Sequence, residues 1–178
     1  TRDEVMAMVG HGARNLMRQA LPFGHKDDDM VDAAYNDFKA YYITHIDVHT
    51  KPFPGIPELL NALHRHGVMI AIASNKFQEG TEHLVKEFFP EIPFVAVLGG
   101  RSDSPLKPDP EIVEEVLRKT GVDKEEAVMI GDSDTDMETA ANGGIMGVAV
   151  GWGYRDMSSI ENLKVANSVD QLHQILQS

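Results

Sequence analysis

The chain has no cysteine, a single tryptophan and few aromatic residues of any kind. Without thiols there can be no disulfide, thiolate nucleophile or cysteine-ligated metal, and the composition fits a reducing, cytoplasmic compartment. Cations are also scarce, with 16 Lys and Arg against 28 Asp and Glu, a formal charge of −12. Nucleic acid and anionic membranes both need a positive surface, so neither is expected as a partner. No apolar run resembles a membrane span or a signal peptide. The remainder is ordinary for a globular protein: 178 residues, 42% apolar and 25% charged, enough for one sizeable core and a small appendage.

The most informative stretch is Ala127 to Val150, AVMIGDSDTDMETAANGGIMGVAV. Ala127 to Ile130 is short, apolar and β-compatible, and Gly131 ends it so that Asp132, Asp134 and Asp136 crowd one loop. Ser133 or Asp134 can cap the helix that follows, which Gly143-Gly144 closes before a second strand from Ile145 to Val150. Strand, acidic loop, helix and strand form a crossover between parallel strands, whose ligands sit beyond the strands' carboxyl ends. Clustered carboxylates are tolerated beside a lysine or a cation, and hard oxygen donors favour magnesium over zinc. The plainer alternative is that these aspartates only cap helices and make turns.

From the start of the chain, residues 1 to about 49 are expected to be helical. Asp3 is a candidate cap, Gly10-His11-Gly12 interrupts the pattern, and Pro22 to Asp29 is a polar break. Val31, Ala34, Tyr35, Phe38, Tyr41 and Tyr42 then recur at helical spacing, which accounts for the tyrosines as packing residues. Lys51-Pro52-Phe53-Pro54-Gly55 marks a change of composition, dividing a helical cap, 1–50, from an α/β core, 51–178. A helix through Ile56, Leu59, Leu60 and Leu63 opens the core. Strands are expected near Val68 to Ala73, Phe94 to Leu98, Ala127 to Ile130 and Ile145 to Val150, alternating with helices in a Rossmann-like parallel sheet.

Two further stretches carry chemistry. Ser74-Asn75-Lys76 follows the first strand, where a hydroxyl and free backbone N–H groups can seat a phosphate, although a serine there usually just starts a turn. Pro105-Leu106-Lys107-Pro108-Asp109-Pro110 leads into a helix, with Asp109 a candidate cap and Pro110 a good first residue. Lys107 lies at the positive end of that helix, where a cation is disfavoured unless an anion is near. The plainer alternative is a solvated surface lysine.

In their order, Ser74, Lys107 and Gly131-Asp132-Ser133-Asp134-Thr135-Asp136 resemble the second, third and fourth motifs of the haloacid dehalogenase superfamily. The closest likeness is to phosphoglycolate phosphatases with a helical cap. Val9-Gly10-His11-Gly12-Ala13-Arg14 looks like the start of that cap, Pro54 to Leu60 like the return to the core, and Trp152-Gly153-Tyr154-Arg155-Asp156 like a late loop. The resemblance implies a magnesium-dependent phosphomonoesterase acting on a small phosphorylated metabolite through an aspartyl-phosphate intermediate. Ser74 and Lys107 would be catalytic, the first donating to the transferring phosphoryl group and the second neutralising its oxygens. Asn75, His11 and Arg14 would bind substrate, Asn75 through its backbone and the other two at a carboxylate. Asp132 would hold Mg²⁺ directly, with Asp136 binding it through water or orienting Lys107. Roles for Asp134 and Arg155, the physiological substrate and the oligomeric state stay open.

The family's first motif, an apolar strand ending in Asp-x-Asp-Gly-Thr whose first aspartate attacks phosphorus, has no counterpart here. Its strand is the middle one of the family's sheet, and without it the strands near Val68 and Ala127 would each carry an unpaired edge. The expectation is therefore a chain that begins inside a longer protein, as Thr1 in place of Met also indicates, or one whose gap another segment fills, and that is inactive alone. The alternatives are a noncatalytic phosphate- or partner-binding module that has lost its nucleophile, and a phosphosugar mutase on the same core.

Overall fold

A computed structural model describes residues 1–153, 155, 157 and 163–177. Its first helices are α1 (Arg2–Met8), α2 (Ala13–Ala20) and α3 (Asp28–Ile43). Thr1, rather than Asp3, caps α1 in a capping box with Glu4; the side chain of Asp3 lies outside the described part. Gly10 and Gly12 separate α1 from α2 with φ of 120° and 83°, values costly for any residue with a Cβ. Asp27 caps α3 by accepting from the Met30 N–H. Arg14 and Arg18 of α2 both bind Asp28, and Arg14 also binds Asp32, so α2 and α3 are tied by charge as well as by packing.

The rest alternates strand and helix: α4 (Ile56–Arg65), β1 (Ala71–Phe77), α5 (Gln78–Phe88), β2 (Ala96–Gly100), α6 (Glu111–Thr120), β3 (Val128–Gly131), α7 (Asp134–Gly143), β4 (Met146–Val150), β5 (Lys164–Ala166) and α8 (Val169–Leu176). All strand pairs are parallel, as βαβ crossovers require, so the α/β class is as expected. The strands form two sheets, β1–β2 and β3–β4–β5. Neither β1 nor β3 has a strand on its second side among the described residues.

Three apolar clusters hold the layers together. Val148 and Val150 point to one face of β4 and pack with Leu59 of α4 and Leu172 of α8. Ala149, between them, points to the other face and meets Met137 of α7, the alternation that a strand imposes. Met129 of β3 packs with Val113 of α6 and Ala140 of α7, and Ala73 of β1 joins this cluster. Shared packing against α6 and α7 thus spans both sheets.

Several expected boundaries move. β1 starts at Ala71, not Val68, and runs on through Ser74, Asn75 and Lys76, because Phe77 still pairs with Gly100 across an irregularity after Ala73. The three polar residues therefore form the strand's carboxyl end instead of a turn beyond it. The α6 N-cap is Pro110, one residue later than expected, with the Asp109 carboxylate accepting from the Glu111 N–H. β5 and α8 have no counterpart in the sequence reading. Tyr154 and Asp156 of the expected late loop lie outside the described residues.

Candidate active site

Three chain segments meet at the carboxyl ends of β1 and β3. The first is the end of β1, where the Ser74 hydroxyl accepts from the Lys76 N–H at 3.1 Å. That bond uses an oxygen lone pair and leaves the hydroxyl proton to be donated; no described residue takes it. The Asn75 side chain turns away from the strand and makes three bonds. Its Oδ1 accepts from the Lys107 N–H at 2.8 Å, and its Nδ2 donates to the carbonyls of Lys107 and Gly10, each at 2.9 Å.

The second segment is the loop before α6. Lys107 is only 9% exposed, which a solvated surface lysine would not be. Its ammonium donates to the Ala73 carbonyl at 2.9 Å and to Asp136 Oδ1 at 2.6 Å. Burying that charge is tolerable because a carboxylate and a carbonyl replace its water. The Lys107–Pro108 peptide is cis, and the Pro108 carbonyl accepts from Asn142 of α7 at 2.9 Å, so the loop is fastened to both β1 and α7.

The third segment is the acidic loop. Ser133 caps α7 and Asp136 returns the bond in a capping box: Asp136 Oδ2 accepts from both the N–H and the hydroxyl of Ser133. Both oxygens of Asp136 are therefore engaged, one by Lys107 and one by Ser133. Gly131 matters for space as well as for ending β3, since a Cβ there would overlap the Asp136 carboxylate. Asp132 lies against Gly153, where a Cβ would likewise strike its carboxylate, whereas Asp134 is exposed.

Magnesium binds hard oxygen donors, commonly one or two carboxylates with water and substrate phosphate completing the shell. Asp132 supplies such an oxygen at the end of β3. Asp136 is turned toward Lys107 instead, and no group of three metal-ligating side chains occurs among the described residues. The donors present thus fit part of a magnesium shell.

The remaining candidates lie at the rim. His11 is exposed in the loop between α1 and α2, next to the Gly10 carbonyl held by Asn75. Arg14, three residues further on in the first turn of α2, faces Asp28 and Asp32, and these carboxylates hold its guanidinium firmly charged. Arg155 donates to the Val9 carbonyl at 2.9 Å, joining the segment after β4 to the same loop. The carboxamide clasp of Asn75 had no signal in the sequence, because its partners are 65 and 32 residues away.

Residues 1–150 match the family of haloacid dehalogenase-like hydrolases. Among curated proteins, phosphoglycolate phosphatase of Mesorhizobium japonicum is 33% identical over 150 residues, 83% of this chain and 66% of that protein. Phosphoglycolate phosphatase of Aquifex aeolicus is 30% identical over 157 residues, 88% of this chain and 71% of that protein. The chain thus spans about two thirds of the length of these relatives. A provisionally named phosphoglycolate phosphatase from Lactobacillus delbrueckii subsp. bulgaricus superposes with a TM-score of 0.87 at 30% identity, over 99% of this chain and 83% of that one. The family match over most of the sequence and the shared fold lead to one assignment: the chain belongs to the haloacid dehalogenase-like hydrolases.

Proposed function

We propose that the chain is the greater part of a magnesium-dependent phosphomonoesterase that hydrolyses a small phosphate ester of the phosphoglycolate type. The observation that carries this reading is the buried Lys107 ammonium, held between the end of β1 and the acidic loop beside Ser74. Phosphoryl transfer depends on positioning and on neutralising charge on three oxygens, and this arrangement offers a cation, a hydroxyl donor and a hard oxygen together. Ser74 donates its free proton to the transferring group, helped by the Asn75 backbone. Lys107 neutralises the phosphoryl oxygens, with Asp136 and Asn75 holding it in place. Asp132 would hold Mg²⁺, which would supply further positive charge to the phosphoryl group.

The chain provides no aspartate in the family's Asp-x-Asp-Gly-Thr context. The nucleophile belongs, in this reading, to a segment outside the chain, on a strand between β1 and β3. The second edges of β1 and β3, unpaired among the described residues, support that location. The carboxylate would attack phosphorus, expel the alcohol and form an aspartyl phosphate that water then hydrolyses. Helices α1–α3 act as the cap that excludes water, with the loop carrying His11 at its base and the Arg14 ion pairs stiffening it. The chain alone is expected to be inactive.

Intact mass and N-terminal sequencing of the native protein test the first part, with an added segment bearing Asp-x-Asp-Gly-Thr expected. Phosphate release from phosphoglycolate and p-nitrophenyl phosphate tests the second. Turnover that needs Mg²⁺ is the expected result; a complete native protein that hydrolyses neither substrate overturns the assignment.

A further inference from the structure

Of the nine lysines, six are exposed, and the three that are not are Lys39, Lys76 and Lys107. Lys39 pairs with Glu79 and Lys107 with Asp136. Lys76 pairs with no carboxylate among the described residues, although the chain carries 28 acidic side chains against 16 basic ones. Among the described residues its single hydrogen-bond partner through Nζ is the Tyr42 hydroxyl at 2.6 Å, and the ammonium lies 4.7 Å from the centroid of the same ring. Two of its three N–H donors are therefore unspent.

Tyr42 is equally incomplete. Its oxygen accepts from Lys76, and no described acceptor takes its own proton. The ring is fixed by a stack on Phe38 at 5.1 Å and by an edge contact with Phe77 at 5.9 Å, so the hydroxyl is preorganised rather than free to search for water. One partner comes from α3 and the other from β1, so the pair spans the seam between the N-terminal helices and the core. The Lys76 N–H is bonded to the Ser74 hydroxyl. The backbone from which the Lys76 side chain extends is thus one hydrogen bond from Ser74, the residue proposed to seat the phosphate.

We infer that Lys76 and Tyr42 form a second anion subsite, which binds the carboxylate at the far end of a short phosphate ester and selects substrates that carry one. The ammonium supplies charge and two donors, and the phenol supplies a third donor to the same group. Arg14, the guanidinium nearest His11 in the chain, is already committed to Asp28 and Asp32. The inference rests on the phosphatase reading for the location of the phosphate and adds the residues that distinguish one ester from another. A site with fixed polar groups discriminates strongly against a ligand that leaves them unpaired.

The test measures affinity, so that it does not depend on turnover. With the complete native protein in Mg²⁺ buffer, calorimetry compares phosphoglycolate with ethyl phosphate, which lacks the carboxylate. The parent is expected to prefer phosphoglycolate about tenfold or more, as for a charge-assisted hydrogen-bonded contact. Lys76→Met should abolish the preference while leaving ethyl phosphate affinity within about twofold, Lys76→Arg should keep most of it, and Tyr42→Phe should reduce it with the melting temperature unchanged. A preference that survives Lys76→Met overturns the proposal, as does a parent with no preference or one that binds neither ligand. Hydrolysis of p-nitrophenyl phosphate, measured in parallel, reports on the phosphatase reading separately.

Discussion

Asn75 satisfies both backbone polar groups of Lys107, accepting from its N–H at 2.8 Å and donating to its carbonyl at 2.9 Å. A single carboxamide on β1 therefore sets the path of the loop that delivers the buried ammonium. The same Nδ2 reaches the Gly10 carbonyl, so the loop between α1 and α2 takes its position from the same side chain.

Asn75→Ala should accordingly act on geometry before stability. Loss of the clasp is expected to lower kcat on p-nitrophenyl phosphate about tenfold in the complete protein, with a stability loss of about 1–2 kcal/mol. Asn75→Asp keeps the acceptor for Lys107 N–H but sets a carboxylate oxygen against two carbonyls, so it should be no better than alanine. Steady-state kinetics and urea denaturation separate the two effects.

Removing the ammonium strands a carboxylate. Asp136 is 7% exposed, and Lys107→Met leaves its Oδ1 without a counter-charge, a loss of about 3 kcal/mol. Lys107→Met/Asp136→Asn should recover part of that stability and none of the turnover. Lys107→Ala should likewise stay folded and lose most activity; turnover within about threefold of the parent would remove Lys107 from the phosphate site.

Which of these features can be read from the sequence follows from the range of the interactions involved. Ser133 as a cap and Gly144 as a left-handed helix end depend on neighbours within one turn, and both are legible. The burial of Lys107 is not, because Asp136 and Ala73 lie 29 and 34 residues away and make a surface-type residue an interior one. Ser74 to Lys76 looks like a turn because it is polar, yet pairing to β2 keeps it in the strand. Tyr42 packs through its ring as its spacing implies, while its hydroxyl serves a residue on another element. β5 has only three residues, too few for an alternation to show.

Asp132 and Gly153 form the next testable pair. Asp132→Asn should reduce Mg²⁺-dependent turnover by about 100-fold or more while the protein remains folded. Gly153→Ala introduces a methyl where the Asp132 carboxylate packs and should raise the Mg²⁺ concentration for half-maximal activity about tenfold, as for a displaced supporting group. A magnesium titration of each variant distinguishes loss of the proposed ligand from its displacement.

The acidic residues of α3 predict a pH response of the N-terminal helices. Hydrogen bonds from Arg18 and Arg14 hold the Asp28 carboxyl below its usual 3.8, and Arg14 does the same for Asp32. A depressed carboxyl contributes stability that is present above its ordinary value and is lost as pH falls through its folded value. The α2–α3 contact should therefore be constant at neutral pH and loosen below about pH 3.8. These pairs are exposed, so the effect should be modest and should shrink in high salt. Amide exchange in α2 and α3 at acidic and neutral pH checks this, and Arg14→Gln should flatten the response.

The bolt that Lys107 forms between Ala73 and Asp136 has a mechanical consequence. β1–β2 and β3–β4–β5 share no backbone ladder among the described residues, so within this chain the Lys107 side chain, bonded to β1 and to α7, adds to the packing of α6 and α7 in linking the two ribbons. An oxyanion seated on the ammonium grips both ribbons at once, and mass action then favours the joined arrangement. Inorganic phosphate should consequently slow exchange in β1 and β3 in concert, making ligand occupancy and the cohesion of the whole domain a single cooperative property.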